Sequence, residues 1–353
     1  MHVLGADPTV RAMEQLTLIE QGKIEWLDVP AARLEEPGDA LVRPLAVSRC
    51  DIDLPYVSGL LPPPRPFALG HECVGEVTAV GEAVTGAKVG DRVIVPFQIS
   101  CGSCRRCRRG HTGSCESVPF LSAFGLPLQS KEWGGALSDL IRVPFADAML
   151  VPAPMDVPPW ALAAAADNAT DGWRCVAPHL AARPGASVLV VIGVAPSIGL
   201  YAADAALALG ASRVDVLSPS TDVLEVAKRI GATPIESGFG GKHGPYDVTI
   251  DCSVDPSGLA LALRATDHEG VCVCPVYYFG DATPVPLGRM YTKGVHFHSG
   301  RCHARHEIPA VAAAIAAGRL HGEVIATRRV GWKDAATAMA EPAVKLVIDR
   351  ASH

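Results

Sequence analysis

Cys101, Cys104, Cys107 and Cys115 crowd one short segment, spaced Cys-Gly-Ser-Cys-Arg-Arg-Cys, then seven residues, then Cys. Four thiolates this close can complete a tetrahedral shell around Zn2+. Such a shell leaves no coordination position open, so it holds a loop in place and does no chemistry. Arg105, Arg106, Arg108 and Arg109 lie among these cysteines and offset their negative charge. An iron–sulfur cluster is the rival reading. The bacterial ferredoxin run puts its fourth cysteine after three residues and follows it with proline. Here the gap is seven and Glu116 follows, so the spacing favours structural zinc. The total of 11 cysteines is odd, which argues against a disulfide framework.

Three further residues could do chemistry. Cys50 lies in SRCDID, His71 in LGHECVGEV beside Glu72, and Asp167 in AADNATDGW. Each alone reads as a core residue. Together they supply a thiolate, an imidazole and a carboxylate. Three protein ligands with a fourth position free is the layout of a catalytic zinc.

The elements that must position these groups divide in two. The first 150 or so residues are β-rich, with runs such as Ala40–Val47 and Cys73–Val80 punctuated by Gly and Pro. Past Pro158 an alanine-rich helix, Trp160–Ala166, is expected, with Asp167 at its end. Strands then alternate with helices: Ser187–Ile192, helix Ile198–Leu209, Arg213–Leu217, helix Val223–Ile230, Asp247–Asp251, helix Ser257–Thr266, Gly270–Pro275 and Val295–Ser299. That alternation predicts βαβ units and a parallel sheet. A helix over Pro309–Ala317 and a strand over Val344–Ile348 form a short return onto the first domain.

The strand, turn and helix after Ser187 are the parts of a dinucleotide site, where helix N–H groups face a pyrophosphate. The turn reads Gly193-Val-Ala-Pro196-Ser197-Ile198-Gly199, which is not G-x-G-x-x-G. Counting back from Gly199, Val194 and Pro196 hold the first two glycine positions, and Gly193 is displaced by one. An acidic residue is expected about twenty residues on, to hold the ribose hydroxyls. Ser218 stands there instead, which favours NADP(H) over NAD(H), although no arginine follows it. Asp215 lies inside the strand and is not read as a substitute.

The order Cys50, Gly70-His71-Glu72, four-cysteine lobe, nucleotide segment and Lys345-Leu-Val-Ile tail resembles the zinc-containing medium-chain alcohol dehydrogenases, over nearly the whole chain. GHECVGEVTAVGEAVTGAKVGDRVIVP followed by the lobe is the most specific part. The resemblance implies an α/β protein: a β-rich GroES-like catalytic domain (1–168 and 302–353) and a Rossmann doubly wound parallel-sheet domain (169–301). It makes Cys50, His71 and Asp167 the catalytic zinc ligands, since Asp171-Gly172-Trp173 stands where the family's third ligand precedes a TGY-like turn. Glu72 becomes a second-sphere carboxylate that can approach the metal. Lys345 falls at a position that can carry a basic residue near the cofactor phosphates; otherwise it is a solvated lysine. The resemblance also implies a second, structural zinc, a nicotinamide cofactor and a homo-oligomer, dimer or tetramer.

The chain departs from that pattern where a proton relay is usual. Ile52 and Pro55 stand in place of Ser or Thr and His. Asp53 reads as a structural ion-pair partner. The expected function is zinc-dependent hydride transfer between NAD(P)(H) and a small alcohol or carbonyl compound. The missing relay motivates an alternative, reduction of C=N or activated C=C bonds. A third reading is a non-catalytic cofactor-binding protein, against which the complete ligand set argues.

Charge and hydropathy narrow the field. The net charge of −6, with no long basic run, argues against nucleic-acid binding. Met1–Arg11 lacks the apolar core of a secretory signal. The most apolar stretch, Ser187–Gly210, is broken by Gly193, Pro196, Gly199 and Asp204, so no membrane span is expected and the reading is cytoplasmic. Arg301–His306 reads as a domain-junction loop with Arg301 near the cofactor, and His296 and His298 as surface residues of a strand. Phe120, Phe124 and Trp133 are candidate cleft residues.

Overall fold

The computed structural model describes residues 12–63, 66–127, 133–280 and 282–352; the segment Met1–Arg11 lies outside the described residues. Ser187–Ile192 (SVLVVI) is apolar on both faces, and every residue after Ser187 is buried. A strand buried on both sides belongs in the middle of a parallel sheet. It sits there, in a six-stranded sheet whose order is Thr233–Glu236, Arg213–Ser218, Ser187–Ile192, Tyr246–Cys252, Thr266–Cys274 and His296–Ser299. All pairings in it are parallel. Numbered along the chain the order is 3-2-1-4-5-6, the doubly wound arrangement, and its direction reverses beside Ser187–Ile192. The nucleotide turn opens at that point.

The helix Pro196–Ala208 follows the turn, with Pro196 at its first position, where no N–H is needed. It packs against a helix that local sequence does not announce. The alanine run gives only a short helix, Pro159–Leu162, and a 3-10 turn, Ala163–Ala166. Asp167 then breaks the helical path (φ −151°, ψ −82°) and a new helix runs Asn168–Ala182 with Pro178 inside it. Asn168, Asp171, Gly172 and Pro178 are turn-forming types, but burial of Trp173, Val176 and Leu180 outweighs that propensity. Gly172 permits the crossing: a Cβ there would lie 2.6 Å from the backbone nitrogen of Ala202.

Ala40–Ser48 is central to a seven-stranded, mostly antiparallel sheet, paired with Glu72–Val80, Ile141–Val143 and, from the tail, Leu346–Asp349. Arg49 fixes the tail. Its guanidinium donates to the carbonyls of Met339 (3.2 Å) and Ala343 (3.2 Å). The segment Arg301–His306 is only partly loop, because a helix begins at Ala304 and runs to Ala316. His296 and His298 lie on the exposed edge strand. Among the described residues no helix is long and apolar enough to cross a membrane.

Candidate active site

Cys50 lies just beyond Ala40–Ser48, His71 just before Glu72–Val80, and Asp167 at the break ahead of Asn168–Ala182. Paired strands and an irregular turn thus aim three donors at one point. Their ligand atoms all lie within 4.8 Å of one another. Cys50 Sγ is 3.1 Å from Asp167 Oδ2, and His71 Nε2 is 3.5 Å from the same oxygen. Asn168 Nδ2 donates to Cys50 Sγ at 3.1 Å. Asp53 accepts from the Cys50 amide and places Oδ1 3.7 Å from His71 Nδ1, a carboxylate charge beside the ring but beyond hydrogen-bond reach.

These residues fit a zinc ion. Both imidazole nitrogens of His71 are buried with no hydrogen-bond partner, although buried polar atoms are normally satisfied. Burial alone would lower the His71 pKa, but Asp53 and Asp167 outweigh it and raise it to about 9. Burial also pushes the Cys50 thiol up, and the surrounding carboxylates add to that. A divalent cation removes the conflict, displacing protons from the thiol and imidazole.

Asp167, Asp171 and Cys302 also converge. Asp171, however, is engaged by Arg174, whose Nε donates to it at 2.6 Å. Asn168 is a neighbour of the site that sequence reasoning missed, and Cys302, in the Cys- and His-containing segment read as a domain-junction loop, is another to which it gave no role there; both arrive by tertiary packing.

Lys345 requires a correction. It is neither solvated nor directed at the nucleotide turn. Its buried ammonium donates to Glu72 Oε1 (2.9 Å), Asn168 Oδ1 (2.7 Å) and the Arg49 carbonyl (2.9 Å). An ammonium has three donors, and all are used. Glu72 is thereby ion-paired to Lys345 behind the metal ligands.

The four lobe cysteines also place their sulfurs within 4.8 Å of one another. Cys104 is both a ligand candidate and a helix cap, accepting from the Cys107 amide at 3.4 Å. Burial pushes the Cys101 thiol up, but hydroxyl bonds from Ser117 and Ser103 and nearby amides outweigh it and bring it down to about 5. This donor set suits a closed structural zinc. His303 stacks on His111 and accepts from the Gly113 amide at 3.2 Å, joining the lobe to the helix Ala304–Ala316.

The Cys50, His71 and Asp167 trio opens onto a cavity of about 620 Å3. Ile52, Pro55, Phe97, Phe120, Leu126 and Phe279 make its wall largely apolar. Arg301 stands on the wall, with its guanidinium 5.0 Å from the Phe120 ring centroid. Phe124 is buried in the core and does not reach the cavity, and Trp133 is not part of the wall.

At the nucleotide turn the N–H groups can be followed one by one. Gly193 and Ala195 donate to the Cys252 carbonyl and Val194 to that of Ser253. Pro196 has no N–H. Ser197 donates through its amide (3.0 Å) and hydroxyl (2.6 Å), and Ile198 through its amide (3.1 Å), to the carboxylate of Asp51. Gly199 donates to the Ala195 carbonyl, and a Cβ on it would lie 2.6 Å from Ile192. In this conformation the turn offers no free amide to a pyrophosphate. Ser218 ends its strand fully buried and accepts from the Ser220 amide.

Comparison with known proteins agrees with this geometry. Residues 36–154 match the alcohol dehydrogenase GroES-like domain family. The chain is 27% identical to an uncharacterized zinc-type alcohol dehydrogenase-like protein of Bacillus subtilis (strain 168), over 84% of this chain and 88% of that protein. It is 32% identical to a medium chain reductase/dehydrogenase of Acremonium sp, over 59% of this chain and 70% of that protein. Its fold is similar to that of an alcohol dehydrogenase from Thermus sp. ATN1, with a TM-score of 0.86 and 29% identity, covering 96% of this chain and 99% of that one. The chain belongs to the zinc-type medium-chain alcohol dehydrogenase family and is a zinc-containing, alcohol dehydrogenase-like oxidoreductase.

Proposed function

We propose that this protein transfers a hydride between NAD(P)(H) and the reacting carbon of a small, largely apolar alcohol or carbonyl compound. The observation that carries this reading is the opening of the Cys50, His71 and Asp167 trio onto an apolar cavity of about 620 Å3. Cys50, His71 and Asp167 would hold a zinc ion, which when bound would supply a Lewis acid for a substrate oxygen. The chain's own residues do the rest. Asp53 holds a negative charge beside His71, and Asn168 supports the Cys50 thiolate. Ile52, Phe97 and Phe120 exclude water and favour a hydrocarbon or aromatic substrate body.

The nicotinamide cofactor rests on family likeness, and NADP(H) is favoured because Ser218 puts no charge where a 2′-phosphate would lie. A homo-oligomer is supported by the exposed edge strand His296–Ser299, which is open to pairing with a second copy.

A second reading, reduction of C=N or activated C=C bonds, is favoured by one observation: Ile52 and Pro55 line the cavity and neither can pass a proton. Assaying a panel of primary, secondary and benzylic alcohols with NADP+ and NAD+ at alkaline pH separates the two. Cofactor reduction by any alcohol supports the first reading. No turnover across the panel, with NADPH-dependent reduction of an imine or enone, transfers support to the second.

A further inference from the structure

Asp51 lies in the turn that follows Ala40–Ser48, next to Cys50, yet its carboxylate sits on the N-terminus of the helix Pro196–Ala208 in the other half of the molecule. That terminus carries the positive end of the helix dipole and the first free N–H groups, which is why helix N-termini bind phosphates. A carboxylate there meets the same need. The accounting of the turn makes its position exclusive. Gly193, Val194 and Ala195 are tied to the end of Tyr246–Cys252 and to Ser253, and Pro196 has nothing to give. Ser197 and Ile198 alone have amides directed outward, and Asp51 takes both together with the Ser197 hydroxyl.

We propose that Asp51 is an internal occupant of the pyrophosphate seat, a gate that a dinucleotide must displace in order to bind. The inference rests on the nicotinamide cofactor of the proposed function. A pyrophosphate on Ser197 and Ile198 would meet the Asp51 carboxylate at contact distance, and two anions cannot share those donors. Displacement needs no unfolding. Asp51 is only half-buried and lines the apolar cavity, so its side chain can leave the helix terminus by rotating into space already open beside it. Binding competence then belongs to the Asp51-out state alone, and apparent affinity is reduced by that state's fractional population. The same contact ties the two halves of the protein together when no cofactor is present.

The test is direct binding of NADPH, NADH and ADP-ribose by titration calorimetry to the zinc-loaded wild type, Asp51→Asn and Asp51→Ala. Zinc content is measured on each protein, because Cys50 is adjacent. The expected result is dissociation constants about tenfold or more lower in Asp51→Ala, with a smaller gain in Asp51→Asn. Without nucleotide the variants should melt at a lower temperature, and the rise on adding NADPH should be larger than in wild type. Wild type and both variants binding equally well, or the variants binding more weakly, overturns the gate while leaving the hydride-transfer reading in place. A lowered melting temperature with no gain in affinity reduces Asp51 to a helix cap and likewise overturns it. No binding of any of the three nucleotides to any of the proteins overturns both.

Discussion

Lys345 and Glu72 form an ion pair at 2.7 Å with both side chains shut off from solvent, although 273 positions separate them in the chain. A buried pair of this kind adds little when compared with a well-packed apolar substitute, but removing one partner strands the other. Lys345→Met leaves the Glu72 carboxylate and Asn168 Oδ1 without their donor. The expected loss is about 3–5 kcal/mol of stability, read from urea unfolding. Adding Glu72→Gln should recover part of that loss, since the stranded charge is then gone. Lys345→Arg should not preserve this stability, because a planar guanidinium does not match three acceptors arranged around one point.

Metal content tests the two sulfur-containing sites separately. Asp167→Ala should lower zinc from two ions per chain to one by elemental analysis, leaving the four-cysteine lobe loaded. Asn168→Ala should keep both ions but weaken the catalytic site by about 10–100-fold in a chelator competition, because it removes no ligand but takes away the hydrogen bonds to the Cys50 sulfur and Asp167 Oδ2 and one acceptor of Lys345. One zinc in both the wild type and Asp167→Ala would leave only the structural site.

Gly172 controls the crossing of Asn168–Ala182 with Pro196–Ala208. An added methyl would meet the Ala202 nitrogen at 2.6 Å and the Tyr201 carbonyl carbon at 2.7 Å, both backbone atoms of a buried helix. Gly172→Ala should therefore destabilise by about 1–3 kcal/mol despite the better helix propensity of alanine. A stabilised variant in thermal unfolding would show that the two helices separate freely.

The His321–Asp204 pair sets a pH dependence away from the metal. His321 Nδ1 lies 2.8 Å from Asp204 Oδ1, and the His321 amide donates to Oδ2 at 2.7 Å. The hydrogen bond to Asp204 raises the His321 pKa, with burial opposing. Burial raises that of Asp204, with His321 opposing. A raised histidine pKa means that its contribution is fully present below the unfolded value of about 6.5 and fades as pH rises through the folded value. His321→Ala should thus cost more stability at pH 6 than at pH 9. An equal loss at both pH values, by urea midpoints, would mean that the imidazolium charge contributes nothing.

Local sequence is enough to read the four-cysteine lobe as a metal site, whereas Cys50, His71 and Asp167 come together as a ligand set only through the family resemblance and the fold. A thiolate ligand set spaced over Cys101 to Cys115 can close on an ion with little help from the rest of the chain, so its spacing is informative by itself. The strand Ser187–Ile192 is similarly legible, because an apolar run bounded by a turn and a helical segment has few other places to go. Asn168–Ala182 is not legible in this way. Its first turns are written in residues that prefer loops, and it is helical because Trp173, Val176 and Leu180 find a buried face. Lys345 and Asp51 show the same limit at the site. Lys345 reads as a surface or phosphate-facing lysine, and Asp51 as an unremarked neighbour of a ligand. The tertiary structure gives Lys345 to Glu72 and Asn168, and brings Asp51 to amides 146 and 147 residues away. The lobe's ligands follow from side-chain chemistry and short spacing, which sequence records directly. A buried charge takes whichever partner the packing of the two sheets brings within reach, and only the folded chain decides that.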